Sequence, residues 1–538
     1  MIQLARHHRS GFQGVFLFLV VFCGITGARP LQATDYFLTL GGGYNRTGNQ
    51  ASLEANVLFF QQVLADKHQG PKQHWIYFAD GGDPGEDLQV LADKPDRSNA
   101  PATELLASLH RRRGEVHVEY RNHRVSEISG PLDPGLIRDG FESLLKAVKP
   151  GDRLIVYVTA HGSAGPKEDP FNTTIDCWNE RKITARDFTE WLGKVPPDVP
   201  VVMVMAQCYC GGFANTIFEG LDQKRGVAPR PRAGFFAQQH DLPAAGCRPD
   251  IEHDEEFSNY FWGALAGKSR NGVPIEGCDI DGDGVVSFAE AYAYAVTAGE
   301  TIDIPLRTSE VLLRAVSRLT HSAKESADDT KPLTEAKADT NQDAEGEQEP
   351  ARLSLSGTLQ SAVDQTRPAS VRIVTKLCEK LGLKLEDDVQ SVVKAYAEHR
   401  RAGRFQGRRG GGGRRRGSSR RDLLREVGEK WPELADERRW EESPLLALGN
   451  QEKLLVELKA LPSYASFSER LKQMETSSDA SEQHELRAVK FRRLINALET
   501  IALEKNLPQC ATPEAIARYR EVLALEESSL NVIGNRDR

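Results

Sequence analysis

The chain has 538 residues, 39% hydrophobic and 27% charged, with a net charge of -8 at pH 7. Its length exceeds one ordinary core, so two or three domains are expected. The composition is that of a soluble globular protein and not of a fibrous or low-complexity one, and the net charge favours solubility without naming a partner.

The chain opens on basic "MIQLARHHRSGFQG", apolar "VFLFLVVFC" and small "GITGA". This order reads as a secretory signal, residues 1–28, cleaved after Ala28 or after Ala33. The apolar run is shorter than the roughly 20 residues a spanning helix needs, and no later stretch reaches that length. The mature protein is therefore expected to be secreted or periplasmic, with no membrane span.

From residue 34 to 316 strand-like and helix-like segments alternate. "YFLTLGGG" (36–43), "HWIYFAD" (74–80), "RLIVYVTA" (153–160), "VPVVMVMA" (199–206) and "AGFFAQQ" (233–239) read as strands. "ASLEANVLFFQQVLADK" (51–67), "LIRDGFESLLKAVKPGD" (136–152) and "TARDFTEWLGKV" (184–195) read as helices, the last with Thr184 as N-cap. Apolar runs between amphipathic helices predict parallel strands buried on both faces, hence a three-layer α/β/α sandwich with a mostly parallel sheet. Residues 317–368 are charged, nearly lack large apolar side chains, and read as a disordered linker. Residues 369–535 carry apolar positions at three- and four-residue spacing and read as an all-α domain. Thr512 and Pro513 open its last helix. An Arg/Gly-rich stretch, residues 400–421, interrupts it; this reads as a solvated insertion, with contact to a polyanion as the functional alternative.

Two residues stand at the carboxyl ends of the most apolar strands. "LIVYVTA" runs into His161-Gly162-Ser163, and "VVMVMAQ" into Cys208. In an open parallel sheet that rim is where ligands sit. A cysteine and a histidine there supply a nucleophile and a proton carrier. Gly162, Gly211 and Gly212 allow main-chain N–H groups to approach a substrate carbonyl. Removing Cys23 with the signal leaves seven cysteines, an odd number, so an exported chain keeps at least one free thiol. The other six allow up to three bridges of open pairing. A bond between Cys208 and Cys210 would be strained. Cys210 is read as packed, or as bridged elsewhere, for instance to Cys177 or Cys247.

The segment "DIDGDGVVSFAE" (279–290) places Asp279, Asp281, Asp283, Gly284, Ser287 and Glu290 at loop positions 1, 3, 5, 6, 9 and 12 of an EF-hand, with the Val285 carbonyl at position 7. A structural Ca2+ is expected there, bracing the helix that follows. The preceding "NGVPIEGC" is not helical, so the motif is a loop without its entering helix. No organic cofactor is expected. Asn45 and Asn172 begin Asn-x-Thr sequences.

"TAHGS" and "AQCYCGGF", each ending a strand and in this order, resemble the caspase-like cysteine peptidases, and most closely the legumain family. "YNRTGNQASLEANVLFF" (44–60) and "IYFADGGDPGEDLQ" (76–89) are similar to the corresponding legumain segments, and the resemblance spans about residues 35–310. It implies a caspase-like fold, Cys208 as nucleophile and His161 as base and acid. It also implies an oxyanion hole of the Gly162 and Cys208 N–H groups, Asn45 orienting His161, and Arg46 receiving a substrate side chain. Cys210 stands where the family has serine. Ala160 and Ala206 stand where legumains carry acids of the asparagine pocket, so the resemblance does not carry asparaginyl specificity over and leaves the cleavage-site preference open. The implied activity is hydrolysis of peptide bonds in a peptide or protein substrate through an acyl-enzyme. A transpeptidase using the same site, and a non-catalytic calcium-dependent binding or scaffold protein, are the alternatives. Legumains carry a helical pro-domain after a cleavable linker. By analogy the C-terminal helices here are expected to inhibit the site, so deleting residues after 320 should raise activity.

Overall fold

The computed structural model describes residues 33–91, 100–110, 118–250, 255–319, 356–409, 418–436, 439–440 and 443–530. The signal segment and most of the charged stretch lie outside these.

The strands are β1 (Asp35–Gly42), β2 (Lys72–Phe78), β3 (Leu88–Leu91), β4 (Val118–Arg121), β5 (Arg153–Ala160), β6 (Thr174–Cys177), β7 (Arg181–Thr184), β8 (Val201–Met205), β9 (Arg232–Phe236) and β10 (Leu306–Arg307). Six form one sheet in the order β10-β9-β8-β5-β1-β2. All its pairings are parallel except β10 against β9. Every residue of β1, β5, β8 and β9 is buried, as near-continuous apolar runs require of strands covered on both faces. The pairs β3–β4 and β6–β7 form separate two-stranded antiparallel sheets that the hydrophobic pattern does not announce. Chain order reverses between β1 and β5, and that switch point opens a crevice at the strands' carboxyl ends.

Within the sheet region the helices are α1 (Ala51–Lys67), α2 (Pro101–His110), α3 (Pro134–Ala147), α4 (Ala185–Leu192), α5 (Phe257–Ala266), α6 (Phe288–Ala298) and α7 (Thr308–Val316). Asp133 caps α3, with Pro134 at its first position. Thr184 caps α4 through a reciprocal box with Asp187. Phe60 of α1, Tyr157 of β5 and Trp262 of α5 pack ring against ring. At the amino ends of β1 and β5, Asp35 receives both Nε and Nη2 of Arg153, a buried bidentate pair.

Beyond β10 every described element is helical: α8 (Leu359–Val363), α9 (Pro368–Leu381), α10 (Val389–Arg409), α11 (Ser418–Lys430), α12 (Gln451–Lys459), α13 (Tyr464–Cys510) and α14 (Pro513–Glu526), with short 3-10 turns between α11 and α12. Two expectations shift. Residues 359–363, read as linker, form α8 because Leu359, Ala362 and Val363 are buried. Much of the Arg/Gly stretch is helical, as the end of α10 and the start of α11; residues 410–417 lie outside the described set. The described residues between 33 and 530 form one compact unit. Ile373, Leu377, Phe491 and Leu494 share a single core with β1, β5 and β8. No described helix is long and apolar enough to cross a membrane.

Candidate active site

Val158 of β5 pairs with Met205 of β8, and three residues beyond that pair on each strand stand His161 and Cys208. Both therefore reach the carboxyl rim on adjacent strands, His161 at the switch point between β1 and β5. A Cβ on Gly162 would lie 2.3 Å from the Cys208 carbonyl oxygen, so only glycine lets the two strand-end turns meet.

The His161 backbone is stitched to β6. Its carbonyl accepts the Asp176 N–H at 2.9 Å, and Ser163 exchanges main-chain and side-chain bonds with Thr174. Ser163 Oγ donates to Asp176 at 2.7 Å. The His161 ring is held by the segment after β1. Its Nε2 lies 2.8 Å from both the Gly48 carbonyl and Gln50 Oε1, and Tyr44 packs edge-on at 5.0 Å. Both Nε2 partners are acceptors, so Nε2 carries the hydrogen and Nδ1 keeps a lone pair. Burial lowers the pKa of His161, against the Gly48 hydrogen bond and the Asp176 charge that raise it. The ring is therefore a neutral base at neutral pH.

Cys208 is partly exposed, in the turn that leaves β8. Its Sγ accepts the Ala244 N–H at 3.3 Å and faces the Ala244 carbonyl at 3.7 Å. Burial raises its pKa; the Ala244 hydrogen bond opposes this, and Asp303 and Asp176 add to it. The resting pair is thus thiol and imidazole. Among the described residues no hydrogen bond joins His161 to Cys208, and the N–H groups of Gly162 and Cys208 donate to no backbone carbonyl.

Cys210 is fully buried, accepting the Gln238 N–H and facing the Gln238 carbonyl; burial holds its thiol far above the ordinary range. It is packed and unbridged, and all seven described cysteines are free, so none of the bridges their number allows is formed.

Asn45 makes no hydrogen bond to His161. Its Oδ1 caps the turn Arg46–Gly48 by accepting Thr47 N–H and Gly48 N–H, each at 3.0 Å, and its amide donates to Glu180. It reaches the ring only through the Gly48 carbonyl. Arg46 is exposed, donating to the Glu86 carbonyl and lying 4.0 Å over the Tyr120 ring. The ring's direct side-chain partner is Gln50, whose signal in the sequence is its place just ahead of α1. Asp176, Ala244 and Asp303 carried no signal, because tertiary packing alone brings them to the site.

A second polar cluster adjoins this turn. Asn49 donates to Asp87 Oδ2 at 2.9 Å, and Asp87 lies against Asp80. Burial, then the Asp87 charge, pushes Asp80 up to about 6.

In the acidic loop, carboxylate oxygens of Asp279, Asp281 and Asp283 lie within 4.8 Å of one another, a set able to hold a metal ion. Gly284 has φ +88° at the sharp turn. Ser287 caps α6, and Glu290 accepts the N–H groups of Ile280, Asp281 and Ser287.

No family model and no curated protein matches the chain. Among solved structures, protein GSU0716 from Geobacter sulfurreducens is similar over 43% of this chain and 80% of its own, at 11% identity and a TM-score of 0.23. A likeness that slight carries no argument about fold or function.

Proposed function

We propose that the chain is an exported cysteine endopeptidase of caspase-like, legumain-similar type. The observation that carries this reading is the equal offset of His161 and Cys208 past one register pair, with the imidazole tautomer already set for base catalysis. In the reaction, His161 Nδ1 takes the Cys208 proton as sulfur attacks the peptide carbonyl. The Gly162 and Cys208 N–H groups receive the oxyanion. The imidazolium then protonates the leaving amine, and water, deprotonated by the same ring, hydrolyses the thioester. The shared Nε2–H contacts with Gly48 and Gln50 hold the ring through both proton transfers. An amine in place of water makes the same site a transpeptidase.

Asp279, Asp281 and Asp283, with the Val285 carbonyl, Ser287 and Glu290, would hold Ca2+ as a brace at the start of α6, the chemistry of a hard cation with oxygen ligands. Arg46, engaged with Glu86 and Tyr120, would have to release them to meet a substrate.

The test is labelling by a thiol-reactive peptide-library probe, with and without calcium, beside Cys208→Ala. Labelling and library cleavage that require Cys208 support the enzyme. Labelling no greater than in the variant, with no cleavage, leaves the non-catalytic calcium-dependent scaffold.

A further inference from the structure

We infer that Arg493, on α13 of the C-terminal helical region, is a positioning residue for Cys208, so that this region completes the site instead of covering it. The inference rests on the peptidase reading for its consequence, and on contacts for its substance.

Arg493 is 3% exposed. Its Nε donates to the Asp303 carbonyl at 2.8 Å, Nη1 to the carbonyls of Val296 (3.0 Å) and Gly299 (2.6 Å), and Nη2 to the carbonyl (3.0 Å) and Oγ1 (3.2 Å) of Thr301. These bonds match the five N–H groups of a guanidinium, so the side chain is saturated. Val296 and Gly299 are at the carboxyl end of α6, where carbonyls lack helical partners and a cation is favoured. Arg493 thus caps α6 and fixes the loop that leaves it. Lys380 of α9 and Lys490 of α13 both bind Glu300 in the same loop. Three cations from the helical region converge on residues 296–303.

That loop is the support of the thiol. Asp303 Oδ1 accepts the Ala245 N–H at 2.7 Å, and the adjoining Ala244 N–H is the donor to Cys208 Sγ. Gln238 donates to the Ile302 carbonyl and accepts the Ile304 N–H, while Gln239 donates to the Ile304 carbonyl. Four hydrogen bonds therefore join residues 302–304 to residues 238–245, which cradle both Cys208 and Cys210. A removable inhibitory domain would leave these contacts intact on departure. Here, taking away α13 uncovers a guanidinium's worth of buried carbonyls directly behind the site.

The charged groups bearing on the Cys208 thiol are Asp303 and Asp176, the titratable thiols beside it are Cys210 and Cys247, and the Ala244 N–H is the donor that favours its thiolate. Arg493 keeps that donor in place and offsets the Asp303 charge.

The test is the rate of iodoacetamide alkylation at Cys208 as a function of pH, read by peptide mass spectrometry on the full chain. It needs no substrate. Arg493→Met is expected to move the Cys208 profile up by about one pH unit, so that alkylation at pH 7 slows about tenfold. Arg493→Lys, which keeps a cation and three donors, should show a smaller shift in the same direction. Arg153→Met is the control, because Arg153 ties the Ser529 carbonyl to the opposite end of the sheet; it should lower thermal stability and leave the profile alone. An unmoved profile in Arg493→Met, or an equal shift in Arg153→Met, overturns the inference. If Arg493→Met does not fold, Arg493→Lys decides, and a wild-type profile there overturns it. A shifted profile in a protein that cleaves no peptide leaves the positioning role standing and removes the peptidase reading.

Discussion

At the residue scale, the proposed catalysis would depend on two separations that admit little change. Gly162 sits against the Cys208 carbonyl at a distance no Cβ tolerates. Gly162→Ala must push the two turns apart, and is expected to abolish peptide cleavage and cost at least ~2 kcal/mol of stability, measured by denaturant unfolding. Gln50 shares the His161 Nε2 hydrogen with the Gly48 carbonyl. Gln50→Ala leaves the carbonyl in place and should lower kcat roughly tenfold with little change in KM. Gln50→Glu puts a carboxylate beside the ring. It should raise the His161 pKa and move the acid limb of the rate profile upward. The place of Gln50 also shows where sequence reasoning stops. "YNRTGNQA" marks the right segment, but the choice between Asn45 and Gln50 as the ring's partner depends on the 3-10 turn at Arg46–Gly48, which points Asn45 back into its own cap.

At the element scale, the two loops around the site carry carboxyl groups that burial pushes upward. Asp303 is 1% exposed and is raised to about 6, chiefly by desolvation. An acid whose folded pKa is raised stabilises the native state below its unfolded pKa, and that contribution is lost as pH rises through the folded value. For Asp303 the window is from about 4 to about 6. Asp303→Asn keeps an acceptor for the Ala245 N–H and removes the charge. Relative to wild type, it should be more stable at pH 7 than at pH 4.5, as read by thermal melts at both; a constant difference would refute the assignment. The acidic loop, residues 279–290, is a separate element. With Asp279, Asp281 and Asp283 gathered within 4.8 Å and Ser287 capping α6, Ca2+ at 100 times its Kd should add about 2.7 kcal/mol of stability. Asp281→Asn combined with Asp283→Asn should remove that gain without changing stability in chelator. Helix and strand boundaries here were readable because β5 is a continuous apolar run and Thr184 offers a cap. The two-stranded pairs β3–β4 and β6–β7 were not, since four-residue strands carry no periodicity.

At the scale of the whole molecule, the chain is a sheet region and a helical region that share one core. Glu526 of α14 is buried against Arg307, and both its oxygens take hydrogen bonds from Ser309; Arg153 of β5 donates to the Ser529 carbonyl. Removing residues 320–538 leaves these groups and the apolar face under α9 and α13 in water. The truncated chain is expected to be insoluble or molten by near-UV circular dichroism, and inactive. This reverses the expectation drawn from the order of segments alone. The sequence does reveal amphipathic helices after a charged stretch, but an amphipathic helix does not say which surface it covers. His161 and Cys208 were legible because apolar strands deliver their last residues to a common rim. Arg493 was not, because its role arises from a helix packed across the carboxyl end of α6, far away in sequence.

The most direct measurement of the central claim is the intact mass of the protein quenched during turnover of a peptide thioester or ester substrate pool. An acyl adduct mapping to Cys208 is expected, absent in Cys208→Ala and accumulating far more slowly in His161→Ala. An adduct on another residue, or equal acylation with His161 removed, would contradict it.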